Sequence, residues 1–167
     1  MPTPDFILNL RKKIGHDLLF IPGVSALVFN PANEVLLAKR SDTGRWSVIG
    51  GIIDPGEQPA AACIREVREE AGIHVEIERV SGVYTSPEIT YPNHDVAQYV
   101  ITAFRCKPID GEPHVNDDES LEVKYFPLAE LPEDLKEDHL LRILHAAEPD
   151  HPAAAYILDR PDDEEAP

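Results

Sequence analysis

The stretch from Gly51 to Ile73, GIIDPGEQPAAACIREVREEAGI, restricts the possible folds more than any other part of this chain. Pro59 suits the first position of a helix, where its missing N–H costs nothing, and Gly72 suits the residue just past the end, which needs a left-handed backbone. Ala60, Ala61 and Ala62 favour helix between them. Upstream, Gly50-Gly51 and Asp54-Pro55-Gly56 are turn chemistry, so the unit reads as strand, irregular loop, helix and a new strand from Ile73. On that helix Glu66, Glu69 and Glu70 are spaced i, i+3, i+4 and share an arc roughly 100° wide. Ala60, Ile64, Val67 and Ala71 share a separate arc about 60° wide. The expectation is a helix with one face in a core and another presenting clustered negative charge. Adjacent like charges repel, and a divalent cation is the obvious partner. Arg65 sits beside Glu66 and four residues before Glu69, placed to orient a carboxylate by a charge-assisted hydrogen bond. Glu57, in the loop before the helix, either reaches Arg65 or joins the cation cluster.

These residues carry a resemblance. Gly51, Glu57, then Arg65-Glu66-Val67-Arg68-Glu69-Glu70-Ala71-Gly72-Ile73 resembles the signature of the Nudix hydrolases, with the aliphatic positions at Val67 and Ile73 also matched. Weaker similarity extends from about Gly23 to Phe126. The resemblance implies an α/β fold of the Nudix type, an α/β/α sandwich with a mixed β-sheet between helices. One departure is that Ile49 stands where the family often has proline before its double glycine. That changes loop stiffness and removes no charged group.

Length and composition agree. At 167 residues the chain supports one domain with a full core and is too short for two comfortable ones. A net charge of −16 argues against a nucleic-acid polymer or an anionic membrane as partner. A nucleotide is not excluded, because metal ions screen phosphates locally. Cys63 and Cys106 make no disulfide framework, and a cytoplasmic location is the default expectation. The N-terminus lacks a secretory pattern, and the longest apolar stretch, Leu18 to Phe29, is broken by Pro22-Gly23, so no membrane span is expected. The histidines lack zinc-ligand spacing, and neither a Gly-rich triphosphatase loop nor a dinucleotide fingerprint is present.

Along the chain, residues 1–20 read as an N-terminal extension with a short amphipathic helix from Asp5 to Ile14, packing on the domain or on a second subunit in a homodimer. Residues 21–147 read as the Nudix domain and 148–167 as an acidic, flexible tail. Val24–Phe29 and Glu34–Arg40 read as a hairpin joined by Asn30-Pro31-Ala32-Asn33. Trp46–Ile49 and Ile52-Ile53 read as short strands, Ile73–Tyr84, Asp95–Cys106 and Leu121–Phe126 as further strands, and Leu135–Ala147 as a second long helix.

The resemblance implies a pyrophosphohydrolase using Mg²⁺ or Mn²⁺, since hard oxygen ligands select such ions and phosphoanhydride cleavage needs charge screening. Glu66, Glu69 and Glu70 are the implied principal ligands, with the Gly51 carbonyl and Glu57 as further candidates and Arg65 orienting the cluster. The resemblance leaves the base as a glutamate inside the motif, where Glu66 and Glu69 are the catalytic candidates, or a carboxylate on a later loop. For the latter Glu119 ranks ahead of Glu122, within an acidic segment beginning at Asp117. Arg40 and Arg45 are candidate phosphate contacts and Tyr84 and Tyr91 candidate stacking partners for a nucleobase. The implied substrate is a small nucleotide: a nucleoside diphosphate linked to another moiety, such as ADP-ribose or a nucleotide sugar, or a nucleoside triphosphate. A nucleotide-binding module without activity is disfavoured because such modules typically lose motif glutamates, and all four are present. An acidic structural protein explains neither the loop glycines nor Arg65.

Overall fold

Alternation along a single strand divides this molecule into two cores. Val24, Ala26 and Val28 face one buried cluster, while Leu27 and Phe29 face another. This is the period-2 geometry of a strand covered on both sides. The structure, a computed structural model, describes residues 3–148. In chain order these form α1 (Asp5–Ile14), β1 (Leu19–Val28), β2 (Val35–Arg40), β3 (Trp46–Ser47), α2 (Pro59–Ala71), β4 (His74–Thr85), β5 (Ile89–Thr90), β6 (Val96–Asp110), β7 (Ser120–Phe126), a short 3₁₀ turn at Leu128–Glu130, and α3 (Glu137–Ala147).

β1 runs parallel to β6, which pairs antiparallel with β4 and β5. β2 pairs antiparallel with β3 and β7 in a second, three-stranded sheet. β2 is divided as β1 is: Leu36 and Ala38 enter the first core, Val35 and Leu37 the second. Ala62, Cys63, Val67 and Ala71 of α2 close the first core, and Ile143 and Ala146 of α3 close the second. The two helices therefore cover opposite faces, giving the expected α/β/α sandwich around a mixed sheet. Leu37 is fully buried in the second core; replacing it with alanine would cost about 2–5 kcal/mol through lost burial and a cavity.

The expected hairpin is only partly formed. Its turn is present, with Asn30 Oδ1 accepting the N–H groups of Ala32 (3.0 Å) and Glu34 (2.9 Å) and Asn33 at φ 60°. Beyond it the strands part, joined by the single bridge Phe29–Val35. Alternating patterns on two adjacent strands do not say which neighbour each will take, and β1 satisfies its backbone on the distant β6. The short strands expected about the double glycine shrink to β3 and two isolated bridges, Ile49 to Ala26 and Ile52 to Gly23.

α1 forms over its expected span and packs on this same chain: Ile7 is buried against Ile21 and Ala97. Ile21 has the strand phase of Ser25, whose hydroxyl accepts a hydrogen bond from Arg142 Nη1 of α3 at 2.8 Å. α1 and α3 therefore lie on one face of the sheet, separated by an uncovered strip, and α2 lies on the other. No helix among the described residues is long and apolar enough to cross a membrane. The tail expected to be flexible falls on residues outside 3–148, apart from Glu148, where α3 has ended.

Candidate active site

α2 begins with Pro59 and ends at Gly72, which has φ 68° and returns its N–H to the Arg68 carbonyl. Its buried stripe differs from the expected one. Ala62, Cys63, Glu66, Val67, Glu70 and Ala71 face inward, while Ile64 is 38% exposed and Ala60 is also exposed. The arc of apolar residues identified the helix but misjudged its phase: small Ala62 and Cys63 allow close approach to the sheet, which carries Glu66 and Glu70 under the double-glycine loop. Glu66 and Glu70 are 3% and 8% exposed, while the Glu69 side chain remains 44% exposed.

The glycines make room for this. A side chain at Gly51 would collide with the Glu66 carboxylate, and one at Gly50 with the Val24 backbone. Gly50 N–H donates to Glu70 Oε1 at 3.2 Å. Gly51 carbonyl accepts the Val24 N–H at 2.9 Å, which leaves it a second lone pair.

Arg65 ties the carboxylates together. Its Nε and Nη2 donate to the two oxygens of Glu57, each at 2.9 Å, and its Nη1 donates to Glu66 Oε1 at 2.8 Å and Glu69 Oε2 at 3.1 Å. A further bond reaches the Ile52 carbonyl at 3.2 Å. Glu57 Oε2 also accepts the Asp54 N–H at 3.2 Å. Of the two roles open to Glu57, the geometry supports the orienting one, because both its oxygens are engaged away from the inner carboxylates.

Charge in this corner is unevenly compensated. The hydrogen bonds that Arg65 donates to Glu57 raise the Arg65 pKa above its ordinary value, and Arg65 in turn holds Glu57 below the usual carboxylate range. Burial pushes Glu66 up against the opposing pull of Arg65. Glu70 is pushed up to about 8, chiefly by burial and further by the charges of Glu66 and Asp117, with only partial relief from the Gly50 N–H and Arg40. Among the described residues no three acidic, histidine or cysteine side chains are already gathered at ligand spacing. Instead Arg65 Nη1 is the positive group shared by Glu66 and Glu69. The donor chemistry nevertheless fits a hard divalent cation: buried carboxylate oxygens carrying excess negative charge, beside a carbonyl with a spare lone pair.

These groups open onto a cleft of about 1640 Å³. Gly23, Ser25, Tyr99 and Ile101 lie along it on the strip between α1 and α3. Gly51, Glu66, Glu69, Glu70, Arg40, Arg45, Tyr91 and Glu119 all line it, so most of the residues expected from sequence come together. Arg40 grips both oxygens of Asp42 at 3.0 and 3.1 Å and lies 3.7 Å from Glu119. Tyr91 is 39% exposed, and its hydroxyl meets that of Tyr99 at 2.7 Å.

Tyr84 requires a correction. It is 7% exposed, packs in the second core, and its hydroxyl meets His145 Nδ1 at 2.9 Å, with the two rings stacked. Strand alternation turns it under α3, so it does not line the cleft. Glu122 is also outside the cleft, paired with Lys124 at 3.1 Å on β7. Asn93-His94 forms a turn, with His94 at φ 68° and its N–H returned to the Tyr91 carbonyl.

Asp117, whose segment was expected but which was not itself a candidate, lines the cleft, and so do Tyr99, His139 and Arg142, which the sequence did not bring forward. Asp117 accepts the N–H groups of Glu119 and Ser120 and adds its charge to Glu70. Tyr99 sits mid-strand. His139 accepts the Val48 N–H through Nδ1 at 3.2 Å, and burial lowers its pKa to about 4, leaving Nε2–H as the donor. Arg142 is 3% exposed and held by Ser25 and by Asp138 Oδ2 at 2.6 Å. The spacing of Asp138 and Arg142, one helical turn apart, was the available signal for the last.

Comparison with known proteins agrees with this geometry. A NUDIX domain model matches residues 19–146. A MutT-like protein of Streptomyces ambofaciens is 32% identical over 123 residues, 74% of each chain. An ADP-ribose pyrophosphatase of Methanocaldococcus jannaschii is 34% identical over 111 residues, 64% of this chain and 62% of its own. The crystal structure of a MutT NUDIX hydrolase from Burkholderia pseudomallei superposes with a TM-score of 0.66 at 26% identity, over 76% of this chain and 98% of that one. The chain spans between 42% and 74% of the length of the first curated relatives it matches. With the domain match covering most of its length and Gly51, Glu66, Glu69 and Glu70 of the motif lining one cleft behind which Arg65 ties to Glu57, the chain belongs to the Nudix hydrolases, a family whose members cleave phosphorus-containing anhydrides.

Proposed function

We propose that this protein is a divalent-metal-dependent pyrophosphohydrolase that cleaves the phosphoanhydride of a nucleoside diphosphate linked to a second moiety, such as ADP-ribose or a nucleotide sugar. The observation that carries the proposal is the pair of buried, under-compensated carboxylates Glu66 and Glu70, opening beside Gly51 onto a cleft with two helical walls. Such a cleft has room for a group on each side of a central diphosphate.

Glu66, Glu69 and Glu70, with the Gly51 carbonyl, would hold Mg²⁺ or Mn²⁺, which supplies positive charge to the phosphate oxygens and acidifies a bound water. Arg65 positions Glu66 and Glu69. Glu69, the most exposed of the three, takes the proton of the attacking water; Glu119, beside Arg40, is the alternative base. Arg40 and Arg45 line the cleft where a phosphate would approach and offset its charge. Tyr91 offers an aromatic face to the base.

A second reading, hydrolysis of a nucleoside triphosphate, is supported by a relative from Bacillus subtilis, 34% identical over 76 residues (46% of this chain and 51% of its own), that is named a putative 8-oxo-dGTP diphosphatase. A panel of ADP-ribose, nucleotide sugars, dinucleoside polyphosphates and nucleoside triphosphates, assayed with Mg²⁺ for released phosphate, pyrophosphate and nucleoside monophosphate, separates the two. Turnover of ADP-ribose or a nucleotide sugar at least about tenfold above any triphosphate supports the first reading; the reverse ranking contradicts it.

A further inference from the structure

We infer that α1, which lies wholly before the matched residues 19–146, is a wall of the substrate cleft and forms, with Tyr91 and Tyr99, the pocket for the substrate's nucleobase. The inference deepens the function proposed above and rests on it for the identity of the ligand as a nucleotide.

Position is the first argument. α1 and α3 stand on one face of the sheet with the cleft floor between them, so the space is a cleft only because α1 is docked there. Pro4, Ile7 and Arg11 line it together with Tyr91, Tyr99 and Ile52, and Ile7 packs in one cluster with Tyr99 and Ile52.

Anchoring is the second. Arg11 is held against the start of β6: Nη2 donates to the Val96 carbonyl at 2.7 Å, Nη1 to the Asp17 carbonyl at 2.6 Å, and Nε lies 3.6 Å from Asp95. His16 Nδ1 meets the same Asp95 carboxylate at 2.8 Å, and the Val96 N–H donates to the His16 carbonyl at 3.2 Å. Asp95 in turn accepts the Tyr91 N–H through its own carbonyl at 2.9 Å. One chain of bonds thus fixes α1 to the turn that carries Tyr91. Arg11, with its donors committed to backbone carbonyls, is a positioning residue for the wall.

Chemistry is the third. Pro4, Ile7 and Ile52 are apolar, the Tyr99 ring packs in the same cluster as Ile7 and Ile52, and the Tyr91 and Tyr99 hydroxyls, joined at 2.7 Å, offer a polar pair beside them. A sugar offers hydroxyls on every side and would leave them unpaired here. A heteroaromatic base has two apolar faces and a polar edge, which matches apolar walls with one hydroxyl pair at the rim.

The test titrates isotope-labelled full-length protein with a nucleoside 5′-monophosphate and, separately, with ribose 5-phosphate, reading NMR signals of Ile7 and Tyr99. Both signals are expected to move with the nucleotide and to stay in place with ribose 5-phosphate. Arg11→Ala should weaken nucleotide binding at least about tenfold while leaving ribose 5-phosphate affinity and the Mg²⁺-induced shift in Tm unchanged. Pro4→Trp narrows the wall without removing the anchor and should weaken the nucleotide alone. Absence of any nucleotide-induced shift at Ile7, or nucleotide affinity within about twofold of wild type in folded Pro4→Trp, overturns the inference. Nucleotide binding along α1 without hydrolysis of any substrate would instead contradict the proposed function and leave this pocket standing.

Discussion

Arg65 grips Glu57 through both carboxylate oxygens, at 2.9 Å each, while its remaining terminal nitrogen spans Glu66 and Glu69. A single guanidinium therefore joins the loop before α2 to two carboxylates within it. The planar fork makes this geometry specific to arginine, since lysine offers one compact charge. Arg65→Lys is expected to keep the fold while lowering kcat by at least about tenfold, and Arg65→Ala to lower Tm as well by leaving buried Glu66 without its main cation. Steady-state kinetics beside thermal melting check both; wild-type kcat in Arg65→Lys would remove Arg65 from the positioning role.

Gly51 is required by the Glu66 carboxylate rather than by its own backbone angles. Gly51→Ala is expected to displace Glu66 and weaken Mn²⁺ binding by at least about tenfold, with little loss of secondary structure. Titration of Mn²⁺ followed by electron paramagnetic resonance reads this directly, and unchanged affinity would show that Glu66 moves aside without consequence.

Glu70 makes the metal-free protein pH-sensitive. Its pKa rises from about 4.5 in the unfolded chain to about 8 in the fold, so the folded state binds more protons between those values. Stability is therefore greatest below about pH 4.5 as far as this group is concerned and falls as pH rises towards 8. Glu70→Gln should flatten that dependence and raise the metal-free Tm at pH 8, while Mg²⁺ should stabilise the wild type more at pH 8 than at pH 6 because the ligand must be deprotonated. Melting curves across this range, with and without metal, provide the check; a Glu70→Gln variant with the wild-type pH profile would show that another group is responsible.

Tyr84 and Tyr91 should respond in opposite ways. Tyr84→Phe loses the hydroxyl contact with His145 and is expected to cost about 1 kcal/mol of stability without changing KM. Tyr91→Ala is expected to raise KM several-fold at unchanged stability, because its ring lies in the cleft and is part-exposed. Denaturant unfolding and kinetics on both variants separate them, and a KM effect confined to Tyr84→Phe would reverse the assignment.

The reach of the sequence differed by the range of the interaction. α2 with its Pro59 start and Gly72 stop, α1 over Asp5–Ile14, and the links from Arg65 to Glu57, Glu66 and Glu69 were legible because each is fixed by neighbours within about two helical turns or one loop. Pairing was not: β1 takes β6 rather than β2, a choice made by backbone satisfaction across distant parts of the chain. The same applies to facing. Tyr84 turned inward and Tyr99 into the cleft through strand phase and bulges in the β4–β6 ladder, which composition does not reveal. His139 and Arg142 enter the cleft because α3 packs beside β1; the Asp138–Arg142 spacing marks a pair on the helix but not the cleft it faces, and nothing local marks His139.

The role of Glu66 and Glu70 as metal ligands is tested by Mn²⁺ binding to the wild type and to folded Glu66→Gln and Glu70→Gln variants, taken alongside turnover at saturating Mg²⁺. Saturable binding is expected in the wild type, weakened at least about tenfold in each variant, with turnover falling in parallel. Undiminished metal binding and turnover in both folded variants would contradict that role.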